Sequence, residues 1–122
     1  MAKFRYVNLN PNGEHRNDCV TRAISLASGL DYSEVRRKLR YTSRLLDCIR
    51  LCWSCYSFFI TEVLGCRQVN CDGLTVGEFA DLHPQGIYLI RIKGHLTVIK
   101  DNVCYDLWNC LGRECDLAWQ IK

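Results

Sequence analysis

The period of the hydrophobic pattern changes once along this 122-residue chain, and that change limits the available folds more than any other feature. Up to about residue 82 apolar side chains recur at helical spacing. From "IYLIRI" (87–92) onward they come in short alternating or continuous runs of strand length. Val20, Ala23, Ile24 and Ala27 follow the i, i+3, i+4, i+7 rule, so a helix is expected to start at Asn17 or Asp18 and close at Gly29. "DYSE" (31–34) resembles a capping box and opens a second helix that turns Val35 and Leu39 inward. A third, longer helix is expected from about Thr42 to Leu64, stopping at Gly65. "TVGE" (75–78) caps a short fourth one that ends before "HPQG". The expected strands are "FRYVNL" (4–9), "IYLIRI" (87–92), "HLTVIK" (95–100), "VCYDLW" (103–108) and "LAWQI" (117–121). Asp101 and Asn102 both tolerate positive φ, which suits a two-residue hairpin turn. Helices first and an antiparallel sheet last make an α+β chain, one domain over residues 1–122.

Composition excludes several classes. A net charge of +3 demands neither nucleic acid nor membrane as partner, and the basic run "RRKLRYTSR" (36–44) is expected to be a solvated helix face. "MAKFRYVNLN" has no continuous apolar stretch of the kind a signal peptide needs, and no segment is long enough to span a bilayer. A cytoplasmic protein with reduced thiols is expected, and nine irregularly spaced cysteines do not suggest a disulfide framework.

Three of those cysteines stand in "CIRLCWSC" (48–55), a C-x₃-C-x₂-C spacing similar to the cluster-binding signature of radical S-adenosylmethionine enzymes. On the expected third helix, however, Cys48, Cys52 and Cys55 fall at i, i+4 and i+7, one stripe with Leu45, Phe59 and Val63. Buried cysteine behaves there as a small hydrophobe. The radical-enzyme motif sits on a loop of a larger barrel domain, and its usual aromatic position is Ser54 here. Core packing is the expected role, with no metal and no cofactor. A zinc site built from Cys55, Cys66 and Cys71 is the alternative, although that spacing matches no common zinc module.

Cys19 differs by its position at the first turn of the first helix, where unpaired N–H groups and the helix dipole favour a thiolate. A nucleophilic cysteine needs a base, and the chain offers His15, His83 and His95. His83 reads as a helix-end residue on the last carbonyls, and His15, four residues before Cys19, competes as a base. If the hairpin turns at 101–102, Thr97 opposes Asp106 and His95 opposes Trp108. His95 and Asp106 are then diagonal neighbours on one face. Asp106 would hold the imidazole so that its other nitrogen meets Cys19. Asn109 takes the third position only if a bulge rotates it inward. Trp108 and Trp119 read as core or groove-wall residues.

A helix that starts with cysteine, then a strand with histidine, then a carboxylate or amide is the papain-like order. "NDCVTRAISLASGLDYSEV", "TVGEFADLHPQGIYLI" and "GHLTVIKDNVCYDLWNC" together resemble the small papain-like cysteine-peptidase-type proteins of bacteriophages and prophages, over about half the chain. The resemblance implies a papain-like fold with Cys19 as nucleophile, His95 as general base and Asp106 as orienting residue. It implies a peptide, isopeptide or amide substrate, no cofactor, and the host cytoplasm as location. Larger papain-like peptidases place an oxyanion-hole glutamine six residues before the cysteine; here that position is Gly13, leaving Asn17, Asn12 or the backbone N–H of Cys19. Two other readings fit the same residues: a non-catalytic phage protein that binds a host defence or regulatory protein, and a small zinc-binding protein.

Overall fold

The computed structural model describes residues 1–13, 18–47 and 53–121. These form a mixed α/β structure of four α-helices and one six-stranded sheet. The strands are β1 (Lys3–Tyr6), β2 (Arg67–Val69), β3 (Ile87–Ile92), β4 (His95–Lys100), β5 (Val103–Asp106) and β6 (Leu117–Gln120), in the order β1-β5-β4-β3-β6-β2. The helices are α1 (Cys19–Ser28), α2 (Tyr32–Leu46), α3 (Trp53–Phe58), which runs on into a π-helical turn (Phe59–Val63), and α4 (Val76–Leu82).

Both faces of the sheet are covered. Along β3 and β4 alternate residues point to opposite faces. Leu89, Leu96 and Val98, with Trp119 of β6, pack against Ile24 of α1, Val35 and Leu39 of α2, and Phe59. Tyr88, Ile90, Ile92 and Ile99 pack on the other side against Val76, Phe79 and Ala80 of α4. A strand buried on two faces reads as a continuous apolar run, which is why "IYLIRI" alternates so weakly.

The β3–β4 and β4–β5 hairpins have the expected form. Asp101 (φ 50°) and Asn102 (φ 67°) make the tight turn, and Val98, Ile99 and Lys100 face Tyr105, Cys104 and Val103. Gly29 (φ 78°) closes α1, and Thr75 and Glu78 cap α4 reciprocally.

Elsewhere the expectations need correction. The sheet is not purely antiparallel: β1 lies parallel to β5 at one edge, and β2, which the sequence does not announce, forms the other. β5 stops at Asp106 rather than 108 because the Asp106 carboxylate accepts the N–H of Leu107 (2.7 Å) and bends the chain out of the ladder. The single helix expected over 42–64 does not form. α2 runs through to Leu46 and ends on Asp47 in the left-handed conformation (φ 53°), which aspartate tolerates. Of the proposed cysteine stripe, Leu45 (65% exposed) and Val63 (50%) face solvent instead, and Cys48 and Cys52 lie outside the described residues. Cys55 and Phe59 are buried as expected. The seven cysteines among the described residues are free thiols. No helix among these residues is long and apolar enough to cross a membrane.

Candidate active site

Helix α1 opens at Cys19 because the preceding Asp18 takes the N-cap position with a non-helical backbone (φ −125°). Its carboxylate does not cap the helix. It accepts instead from Arg22 Nε (2.6 Å), Tyr32 Oη (2.7 Å) and Asn10 Nδ2 (3.1 Å). The first backbone N–H closed onto the helix ladder is that of Arg22, bonded to Asp18 O, so the preceding N–H groups stand at the helix start uncapped by Asp18. Burial pushes the Asp18 carboxyl up, but the bonds from Arg22, Tyr32 and Asn10 outweigh it and hold it below its ordinary value.

His95 is the first residue of β4 and Asp106 the last of β5, so both lie at the sheet end that faces the start of α1. The hairpin register makes them diagonal neighbours, and His95 Nε2 meets Asp106 Oδ2 at 2.6 Å. Nδ1 is the ring nitrogen left for Cys19, and the thiol and the imidazole lie close enough to shift each other's titration. Burial pushes the Cys19 thiol up. The neighbouring imidazole, the Leu96 N–H and the charges of His95 and Arg22 reverse this and bring it below its ordinary value. Burial alone lowers His95, yet Asp106 and Cys19 raise it to about 9. Burial likewise disfavours the Asp106 carboxylate, and the bonds from His95 and Leu107, with the nearby Thr97 hydroxyl and the His95 charge, bring it below the usual range. The structure thus brings Cys19, His95 and Asp106 together at this end of the sheet, in the order thiol, imidazole, carboxylate.

Other candidates lie elsewhere. Asn109 is exposed and its Oδ1 accepts the Leu111 N–H (3.0 Å), so the inward rotation that a bulge would give does not occur. Asn12 is exposed, its backbone N–H bonded to Asn10 Oδ1. Asn17 and His15 fall outside the described residues. His83 sits at the end of α4 with Nδ1 2.9 Å from Phe79 O, as its position suggested. Cys55, Cys66 and Cys71 do not gather into a ligand set: Cys66 and Cys71 belong to separate core clusters, and burial pushes the Cys66 thiol up to about 11.

Several participants have no counterpart in the sequence reading. Arg22 bridges two buried carboxylates, its Nη1 reaching Asp106 Oδ1 at 3.4 Å. A lone arginine in "CVTRAISLAS" is the signal that points to it. Trp108, which the sequence placed as a core or groove-wall residue, is 39% exposed and tilts over the His95 ring (centroids 5.1 Å apart), with the Arg113 guanidinium 5.6 Å over the indole, so it walls the site while Trp119 is core. Cys110 Sγ donates to Asp106 Oδ2 at 3.4 Å, and Cys104, whose Sγ is 3.5 Å from Thr97 Oγ1, is buried in the same core cluster as Cys110. The neighbouring Cys104 thiol, burial and the Asp106 charge all push the Cys110 thiol up, which keeps it a donor.

No protein-family model, curated protein or solved structure matches this chain.

Proposed function

We propose that this chain is a small papain-like cysteine hydrolase that cleaves a peptide, isopeptide or amide bond through a thioester. The observation that carries the reading is the row Cys19–His95–Asp106, with the cysteine at a helix start and the His95–Asp106 contact at 2.6 Å. The layering of α1 on a sheet that supplies histidine and then carboxylate agrees with the papain-like order. Phage origin, the host cytoplasm and a protein-tail or small-amide substrate follow from the resemblance and belong to the same proposal.

In this mechanism Cys19 S⁻ attacks the carbonyl carbon, and the oxyanion that forms is held by backbone N–H groups at the start of α1. His95 gives its Nδ1 proton to the leaving nitrogen as the C–N bond breaks, which leaves a thioester on Cys19 and a free amine. Nδ1, now neutral, takes a proton from water as the oxygen attacks the thioester. Release of the acid restores the thiolate–imidazolium pair. Asp106 keeps Nε2–H bonded throughout and so fixes which nitrogen faces the sulfur.

The test is to incubate the protein with a panel of fluorogenic peptide, isopeptide and simple amide substrates, quench in acid, and find the acyl group by mass spectrometry. A hydroxylamine-sensitive adduct on Cys19, absent in Cys19→Ser and reduced in His95→Ala, is expected. No adduct across the panel, or one on another cysteine, would overturn the hydrolase reading and leave the binding-module reading in its place.

A further inference from the structure

Behind the imidazole, on the side away from Cys19, the donor atoms of three buried or half-buried residues lie within 4.8 Å of one another: His95 Nε2, Asp106 Oδ2 and Cys110 Sγ. A fourth candidate ligand, the Cys104 thiol, lies outside that 4.8 Å group but is buried in the same core cluster as Cys110. We propose that these four side chains form a zinc site, and that zinc bound there switches off the thiol site on the other side of the ring. The switching rests on the hydrolase reading; the binding does not.

The donor set is two thiolates, one imidazole and one carboxylate, the ligand types and number a four-coordinate zinc takes. With metal–ligand bonds of about 2.0 Å to nitrogen or oxygen and about 2.3 Å to sulfur, tetrahedral ligand atoms sit roughly 3.3–3.8 Å apart. The Cys110 Sγ–Asp106 Oδ2 separation of 3.4 Å already meets this, and the His95–Asp106 contact of 2.6 Å must open by under about 1 Å. The supporting shell is present. Leu107 N–H (2.7 Å) and Arg22 Nη1 (3.4 Å) hold Asp106 Oδ1, which turns Oδ2 toward the cluster. Thr97 Oγ1 lies 3.5 Å from the Cys104 sulfur. The Arg22 charge opposes the net −1 of one Zn²⁺ with two thiolates and a carboxylate.

On binding, zinc displaces the thiol protons of Cys104 and Cys110 and the Nε2 proton of His95, three protons that pass to solvent. The Nε2 electron pair is then committed to the metal. The proton left on Nδ1 belongs to a neutral, metal-bound imidazole, a far weaker acid than imidazolium. It no longer reaches the leaving amine, and the ring has no free nitrogen with which to activate water.

Cobalt(II) tests the site with an optical readout independent of activity. Metal-free protein titrated with cobalt should take up one equivalent with intense tetrahedral d–d bands and a sulfur-to-cobalt charge-transfer band, both bleached by zinc. Cys19→Ser should keep these bands. Cys110→Ser and Cys104→Ser should each weaken the affinity by about tenfold or more, at least what loss of a supporting partner costs. X-ray absorption of the zinc-loaded wild type guards against variants that do not fold, and should show two sulfur and two nitrogen or oxygen neighbours. Bands that vanish in Cys19→Ser but persist in Cys110→Ser would place the metal between Cys19 and His95 and overturn the proposal. Absence of a thiolate band in the wild type would do the same. Zinc should also suppress acyl-thioester formation, with recovery on chelation, and unchanged thioester formation in zinc-loaded protein would refute the switch. The two readings fail separately, because metal-free protein that forms no thioester sinks the hydrolase while the cobalt spectrum still decides the site.

Discussion

At Asp106, which is 4% exposed, each carboxylate oxygen has two partners: Oδ1 takes Leu107 N–H and Arg22, Oδ2 takes His95 and Cys110. Replacing it by asparagine keeps the shape but puts an amide where a fixed negative acceptor faced Nε2–H. On the hydrolase reading Asp106→Asn should lower turnover on the order of 10²- to 10⁴-fold, the range that positioned proton transfer supplies, with an unchanged far-ultraviolet spectrum. Asn109→Ala, which removes a loop contact to Leu111, should stay near wild type; the reverse ranking in steady-state kinetics would refute the assignment. Arg22 is the counterpart for stability. Its removal leaves Asp18 and Asp106 buried without their shared cation, so Arg22→Met should lose about 3–5 kcal/mol in denaturant unfolding. His95 and Asp106 were legible as neighbours because one turn dipeptide sets the hairpin register, and register decides which side chains share a face; Cys19 stood out because it opens an amphipathic helix. Arg22 was not legible, because a charged residue in an apolar periodic pattern is assigned to solvent, and nothing local shows that two carboxylates wait for it inside.

Among the elements, α4 was the easiest to read, since its start is written in four consecutive residues. Thr75 Oγ1 accepts the Glu78 N–H (3.1 Å) and Glu78 Oε1 accepts the Thr75 N–H (2.9 Å). Thr75→Ala should therefore destabilise the protein by about 1 kcal/mol, and Thr75→Ser by much less, as read from denaturant midpoints. Local signals of this kind, with the Gly29 stop and the Asp101–Asn102 turn, mark the boundaries of α4, the end of α1 and the β4–β5 turn, while the strand runs 87–92 and 95–100 were placed by their apolar pattern. The edge strands were read least well: β2 was not seen, and β1 was placed at 4–9 without its parallel partner, because both are short, of three and four residues, and mostly exposed, so alternation does not mark them. Their partners are distant too: Lys3 pairs with Val103, and Gln68 with Trp119. The end of α2 was missed because arginine- and leucine-rich sequence continues the helical period past Asp47, and only the backbone shows the left-handed residue there.

For the molecule as a whole, the sheet covered on both faces decides what its many thiols can do. Cys55, Cys66, Cys71, Cys104 and Cys110 are sealed into the two cores, and Cys115, the most accessible described cysteine, is pushed up to about 12 by burial and by the neighbouring Cys71. Cys19 is itself buried in the core cluster of α1 (8% exposed against 7% for Cys66), but alone among the described cysteines it has an imidazole and a helix start beside it, so its lead must come from the thiolate. Reaction with iodoacetamide requires the thiolate and access to it. A limiting amount of reagent at neutral pH should therefore alkylate Cys19 ahead of the other six described cysteines, as read by peptide mass spectrometry. His95→Ala should slow that reaction without changing the order of the rest. In concentrated guanidinium all nine cysteines should react at similar rates, because the selectivity belongs to the fold and not to the local sequence. Labelling of Cys115 or a core cysteine before Cys19 in the native protein would remove the basis for a nucleophile at the start of α1.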